Sequence, residues 1–184
     1  MAERRSEKDA PLPWRVPVAV EDVAETGERF ELVADGEVRA ALARIARLRE
    51  LPRLQAYFEV TRHGAAGLRV AGRISATVGQ VCVVTLEPLA NEVAEEIDLL
   101  FVPPAPTKPE GPASPAPPDR DPDDVEPLIG GSIDLGALAA EFLLLGIEPY
   151  PRKPGAVFAP PPDALPDEGP FAALTALKKG RDGR

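Results

Sequence analysis

The chain has one thiol and one imidazole, Cys82 and His63. A catalytic cysteine needs a base within hydrogen-bond reach and a lowered pKa. His63 opens the run His63-Gly-Ala-Ala-Gly67, which reads as a turn tip. Cys82 lies between Val81 and Val83-Val84, and an apolar setting raises a thiol pKa, so Cys82 reads as an inert buried residue. A single cysteine excludes a disulfide framework, and with a single histidine it argues against a Cys/His metal site. The acidic run Asp119 to Glu126 has carboxylates for calcium. It lacks the glycine and the terminal bidentate glutamate of an EF-hand loop, and reads as a solvated linker. Gly130-Gly131 precedes a helix, yet no Gly-x-Gly-x-x-Gly or Gly-Lys-Ser/Thr follows, so the pair reads as a tight turn. Glu92, Glu95, Glu96 and Asp98 share one strand without His or Lys nearby and read as its polar face. No catalytic, metal or cofactor-binding residue is assigned.

Arg39, Arg44 and Arg47 are the remaining chemical signal, a basic face able to touch RNA phosphate or an acidic partner. The whole chain opposes extensive RNA contact: 21 Lys and Arg stand against 30 Asp and Glu, a net charge of −9. Residues 103–150 hold 2 basic and 9 acidic side chains and so carry −7 of it. Nucleic-acid affinity rests on cations displacing counterions, so a basic protein partner fits better than RNA. No apolar run reaches the roughly 20 residues of a membrane span. Met1 to Ala10 is charged and lacks an apolar h-region, so the expected location is the cytoplasm, with no membrane partner.

These residues must be positioned by a small α+β domain. Trp14 to Val20 reads as a short extended segment, with Pro17 confining it to an edge. Arg29 to Val33 reads as a strand. Asp35 then reads as the N-cap of a helix over 37–48, with Val38, Leu42, Ile45 and Leu48 as its apolar stripe and Pro52 as its stop. From Leu54 the period becomes 2: Leu54, Ala56, Phe58 and Val60 share one face, and Leu68, Val70, Gly72, Ile74 and Ala76 return on it. Gly79 suggests a bulge, Glu87-Pro88 a turn, and Val93, Ile97, Leu99 and Phe101 the inner face of a further strand. Ten of the 23 prolines fall between Pro103 and Pro127, so 103–127 reads as a disordered acidic insertion. A second helix follows Ser132 or Asp134 as cap, with Leu135, Leu138, Ala139, Phe142 and Leu145 as its stripe and Gly146 as a left-handed close. The expected architecture is an antiparallel β-meander or partly closed barrel packed by two main helices. A disordered tail occupies 1–13 and the domain 14–158. A Pro-rich tail with a short helix over Phe171 to Lys179 occupies 159–184.

The stretch Gly79-Gln80-Val-Cys82-Val-Val-Thr85-Leu86-Glu87-Pro88-Leu89 resembles a block of the YceD family of bacterial proteins, named for large ribosomal RNA subunit accumulation. A second block of that family is similar to Ile133-Asp134-Leu135 and the leucine-rich helix carrying Glu141, followed by Pro149-Tyr150-Pro151-Arg152-Lys153. The resemblance covers roughly Trp14 to Phe158. It marks Gln80, Cys82, Leu86, Glu87, Pro88, Leu89, Ile133, Asp134, Leu135, Glu141 and Pro149 as family-motif or partner-binding positions. Many relatives look able to bind a metal through two cysteine pairs. Here Thr85 replaces one cysteine and a proline-rich stretch replaces the second pair, so no structural zinc is expected.

The resemblance implies a non-enzymatic accessory role in the synthesis, processing or accumulation of large-subunit (23S) ribosomal RNA. The implied partner is a ribosomal protein or an assembly factor of the large subunit, with RNA contact indirect. Alternating strands leave a second reading open, a small-molecule-binding β-barrel module with a sizeable apolar cavity. An enzyme built on Cys82 is the third.

Overall fold

The computed structural model describes residues 12–64, 66–104 and 125–158. The chain enters through β1 (Pro17–Ala19) and a short 3-10 turn (Val20–Asp22). It then forms β2 (Glu28–Val33), α1 (Gly36–Ile45), β3 (Glu50–His63), β4 (Gly67–Val81) and β5 (Pro88–Val102). Strands β2 to β5 pair antiparallel in chain order, the expected meander. Alternation decides the buried face. Phe58, Gly72 and Ile97 stand in one cross-strand row, and Val60, Val70 and Leu99 in another. Gln55, Glu59, Arg69 and Arg73 point to solvent on the other face. Gly64, with φ 60°, makes the β3–β4 turn where the sequence places it.

Beyond the meander, β6 (Val125–Pro127) lies parallel to β5 with Val125 opposite Leu100. The sheet is therefore mixed rather than purely antiparallel. Of the stretch expected as an insertion, residues 105–124 lie outside the described residues, and its last three form this edge strand, where Pro127 costs no ladder bond. Strand β7 (Ser132–Asp134) pairs with β1 in a separate two-stranded sheet. The order β2-β3-β4-β5-β6 leaves two edges, so no barrel closes among the described residues. Closure needs the first and last strands to pair, and β6 offers only 3 residues against the 6 of β2. Except for Leu12 and Pro13, the expected tails, including the helix at Phe171 to Lys179, lie outside the described residues.

The helices differ from expectation at their ends. Asp35 caps α1 as read, its Oδ1 accepting the Val38 N–H at 2.8 Å. The helix stops at Ile45, well before Pro52: Leu48 N–H donates to Ala43 O (2.9 Å), Arg47 N–H donates to Arg44 O (3.3 Å), and Arg47 turns left-handed at φ 54°. This is a Schellman close with arginine at the usual glycine position. Ile45, expected in the stripe, is 51% exposed, and Ala43 is buried instead. The bulge sits on β3 rather than at Gly79. Residues 51 and 52 stand against the single Val78 between the pairs Glu50–Gly79 and Arg53–Thr77, one residue in excess. Pro52 has no N–H to pair, and a Cβ at Gly79 would meet Glu50 Cγ at 2.5 Å.

Helix α2 (Leu135–Gly146) packs across β4, β5 and β1. Leu135, Ala139 and Leu143 are fully buried, whereas Leu145, expected in the stripe, is 78% exposed. Gly146 does not adopt a left-handed φ. It is needed because a Cβ there would lie 2.7 Å from Val93 Cγ1. Phe58, Leu54, Leu68, Ile74, Leu42, Leu135 and Leu143 make one core between the inner sheet face and both helices.

Candidate functional site

The two family-like blocks meet at the end of β4. Cys82 N–H donates to Glu87 O and Leu86 N–H to Cys82 O, both at 2.9 Å, closing a tight loop with Leu86 left-handed at φ 59°. The loop wraps its own thiol: Val84 and Thr85 N–H groups donate to Cys82 Sγ at 3.4 Å each. A third donor, the Lys153 N–H, reaches it at 3.3 Å from 71 residues away. Val83 N–H donates to Pro151 O at 3.0 Å, and Lys153 Nζ pairs with Glu87 Oε2 at 2.9 Å.

The Lys153 N–H, then the Thr85 hydroxyl and N–H, stabilise the thiolate and bring the Cys82 pKa down to about 6, outweighing its burial. This corrects the expectation of a raised pKa. The apolar neighbours are there, but backbone donors from two loops face the sulfur. The Lys153 ammonium likewise holds the Glu87 carboxyl below the usual carboxylate range, through its hydrogen bond first and its charge second.

Gln80 is the buried polar member of the block. Its Nε2 donates to Glu148 O and its Oε1 accepts from Asn91 Nδ2, both at 2.8 Å, tying the exit of α2 to the sheet. Leu86 is 77% exposed, Pro88 is exposed, and Leu89 is half-buried beside Gln80. In the second block Ile133 is buried opposite Val18. Asp134 Oδ1 caps α2 at Ala137 N–H (3.1 Å) and accepts the Val16 N–H (2.8 Å), and the carboxylate faces Arg15 at 3.4 Å. Leu135 is fully buried. Glu141 stands on the exposed side of α2, and Pro149 is exposed. The structure thus brings Gln80, Cys82 and Glu87 to the 148–153 segment, while Ile133, Asp134 and Leu135 hold the β1 segment instead.

The arginines form a different place. Arg39, Arg44 and Arg49 line a trough of about 470 Å³ between α1 and the start of β3, with Arg47 just outside it. Arg39 Nη1 is engaged by Ala34 O at 2.7 Å. Arg49 was not singled out in the sequence, although it continues the acid-free run from Val38. Thr85 and Lys153 were also missed as partners of the thiol, because nothing local to either points at position 82.

A catalytic pair of Cys82 and His63 is ruled out by register. His63 faces Gly67 at the start of β4, and Cys82 follows its end. At about 3.3 Å per residue, β4 separates them by roughly 45 Å.

The family model described as "Large ribosomal RNA subunit accumulation protein YceD" matches residues 70–178, more than half of the chain. This chain belongs to the YceD family. Neither the comparison with curated proteins nor that with solved structures gives a match. In this YceD-family chain the positions that the resemblance assigns to two cysteine pairs do not fit a metal. They offer one sulfur already accepting three N–H groups, one threonine, and a second stretch in which Tyr150 and the cationic Arg152 and Lys153 stand between prolines. No three His, Cys, Asp or Glu among the described residues gather as ligands. The thiol-centred loops are closed by hydrogen bonds and the Lys153–Glu87 pair.

Proposed function

We propose that this chain is a non-enzymatic accessory factor that supports accumulation of large-subunit ribosomal RNA by holding a protein partner, a ribosomal protein or assembly factor of the large subunit. The match to the YceD model over 70–178 carries the reading. Two further observations support it. The thiol and the imidazole lie at opposite ends of one strand, and the acid excess lies in 103–150, where it suits a basic protein and repels phosphate. RNA contact is then indirect, and the factor works in the cytoplasm beside assembling ribosomes. Among the described residues no helix is long and apolar enough to cross a membrane.

The test is a sucrose gradient of lysates with and without this protein, quantifying both mature ribosomal RNAs. Large-subunit RNA falls relative to small in its absence, and the protein sediments near large-subunit precursors. An unchanged ratio with no co-sedimentation overturns the reading. A second route, direct RNA contact through α1, is favoured by one observation: Arg44, Arg47 and Arg49 have no carboxylate partner among the described residues, whereas Arg29, Arg53 and Arg69 do. If Arg44→Glu with Arg49→Glu reproduces the loss of the protein, that route replaces the first.

A further inference from the structure

Between β6, β7 and α2 lies a groove of about 230 Å³ that the thiol-centred loops do not touch. Its wall is apolar, formed by Phe101, Ile133 and Leu138, and Ile129 stands 75% exposed at its mouth. No lysine or arginine lines it. Its rim is acidic: Glu141 lies one turn beyond Leu138, and Glu126 of β6 acts on it. Both side chains are exposed, and neither is in an ion pair among the described residues. Partial burial first, and the Glu126 charge second, raise the Glu141 carboxyl above its ordinary value. Two unpaired carboxylates therefore stand over an apolar wall, and the third carboxylate of the lining, Asp134, is paired with Arg15 at 3.4 Å.

The geometry points to this groove as the docking site for a basic segment of a protein partner. An apolar side chain of that segment sits against Ile129, Phe101 and Leu138, and its lysines or arginines pair with Glu126 and Glu141. Charge complementarity selects the occupant, because an RNA phosphate entering here meets the unpaired Glu126 and Glu141 carboxylates, while the nearby Arg15 is already engaged by Asp134. The inference rests on the protein-partner reading and gives it a place on the surface. It also gives Glu141, which makes no contact in the thiol-centred site, a task.

The experiment is fluorescence anisotropy on the full chain with a labelled peptide, Gly-Ser-Arg-Leu-Lys-Leu-Arg-Ser-Gly. Removing both charges in Glu126→Gln with Glu141→Gln weakens binding about tenfold, as loss of two favourable charge pairs would. Ile129→Ser weakens it through the apolar contact. Both variants sit on exposed positions and keep the wild-type melting temperature. A peptide with serine at both leucines binds more weakly, and one with glutamate at the three basic positions does not bind. Equal affinity of wild type and both variants for the basic peptide overturns the groove, as does equal binding of the acidic peptide or preferential binding of an RNA duplex. The same variants are then placed in cells lacking the protein. Lost peptide binding with a normal ribosomal RNA ratio upholds the groove and overturns the proposed function. Unchanged peptide binding with a fallen ratio overturns the groove and leaves that function standing.

Discussion

At the scale of single residues, Cys82 contributes through its ionised form. Its folded-state pKa of about 6 lies below the 9.0 of an unperturbed thiol. A depressed pKa yields stability that is fully present above the unfolded value and fades as pH falls through the folded one. The gap in unfolding free energy between the wild type and Cys82→Ser therefore widens from pH 6 to pH 9 and is flat above. Denaturant titrations across that range check it, and a pH-independent gap would show that the sulfur stays neutral. The sequence shows Cys82 as buried, and it is. It cannot show the thiolate, because the strongest donor comes from Lys153 across 71 residues. Arg47 is the second case. Left-handed backbone costs a non-glycine residue about 1–2 kcal/mol, and glycine gives back about 0.5–1 kcal/mol as extra unfolded-chain freedom. Arg47→Gly is thus expected to stabilise the fold by about 0.5–1 kcal/mol, read as a higher denaturation midpoint at unchanged slope.

At the scale of elements, Gly136 sets how close α2 comes to the Trp14–Arg15 segment. An added Cβ would meet the Trp14 carbonyl carbon and oxygen at 2.8 Å and Arg15 N at 3.0 Å, all backbone. Alanine is the better helix former by about 1 kcal/mol, yet the overlap costs about 1–3 kcal/mol, so Gly136→Ala destabilises. Hydrogen exchange checks where the damage falls: amides of Val16 and Val20 lose protection, and those of β3 keep it. An overall gain in stability would mean that the Trp14 segment yields freely. Most elements were legible from periodicity: β3, β4 and β5 from their alternation, the α1 start from Asp35, and the α2 start from two candidate caps, Ser132 and Asp134, of which Asp134 is the one used. The helix ends were not. The Schellman close at Arg47 and the approach of Gly146 to Val93 depend on neighbours that the local pattern does not contain.

At the scale of the whole molecule, the acidic stretch is separable from the fold. The chain leaves the sheet after β5 and returns as β6 beside the same strand, with Val125 opposite Leu100. Shortening residues 105–124 to a six-residue Gly-Ser link lowers the closure entropy by only about 1 kcal/mol. The melting temperature therefore holds, and so does binding of the basic peptide, because Glu126 and Glu141 are retained. Calorimetry and anisotropy on one preparation check both. The parallel return itself was invisible in sequence, since Val125-Glu-Pro127 has neither the length nor the alternation of a strand and is recruited only by the edge of β5.

The pairing of β1 with β7 joins Ala19 to Ser132, and so places a constraint on synthesis. Strand β1 is translated well before β7, its partner. At the roughly 5–20 residues per second of translation, the 113 residues from Val20 to Ser132 take about 6–23 s to appear. Throughout that interval the β2–β5 meander can assemble hairpin by hairpin. Trp14 and Val18 meanwhile stay uncovered, and the inner sheet face waits for α2. A stalled nascent chain ending before Ser132 should therefore be cleaved by protease ahead of β2 but not within β3. During synthesis the Pro17–Ala19 segment therefore has no partner strand until Ser132–Asp134 emerges.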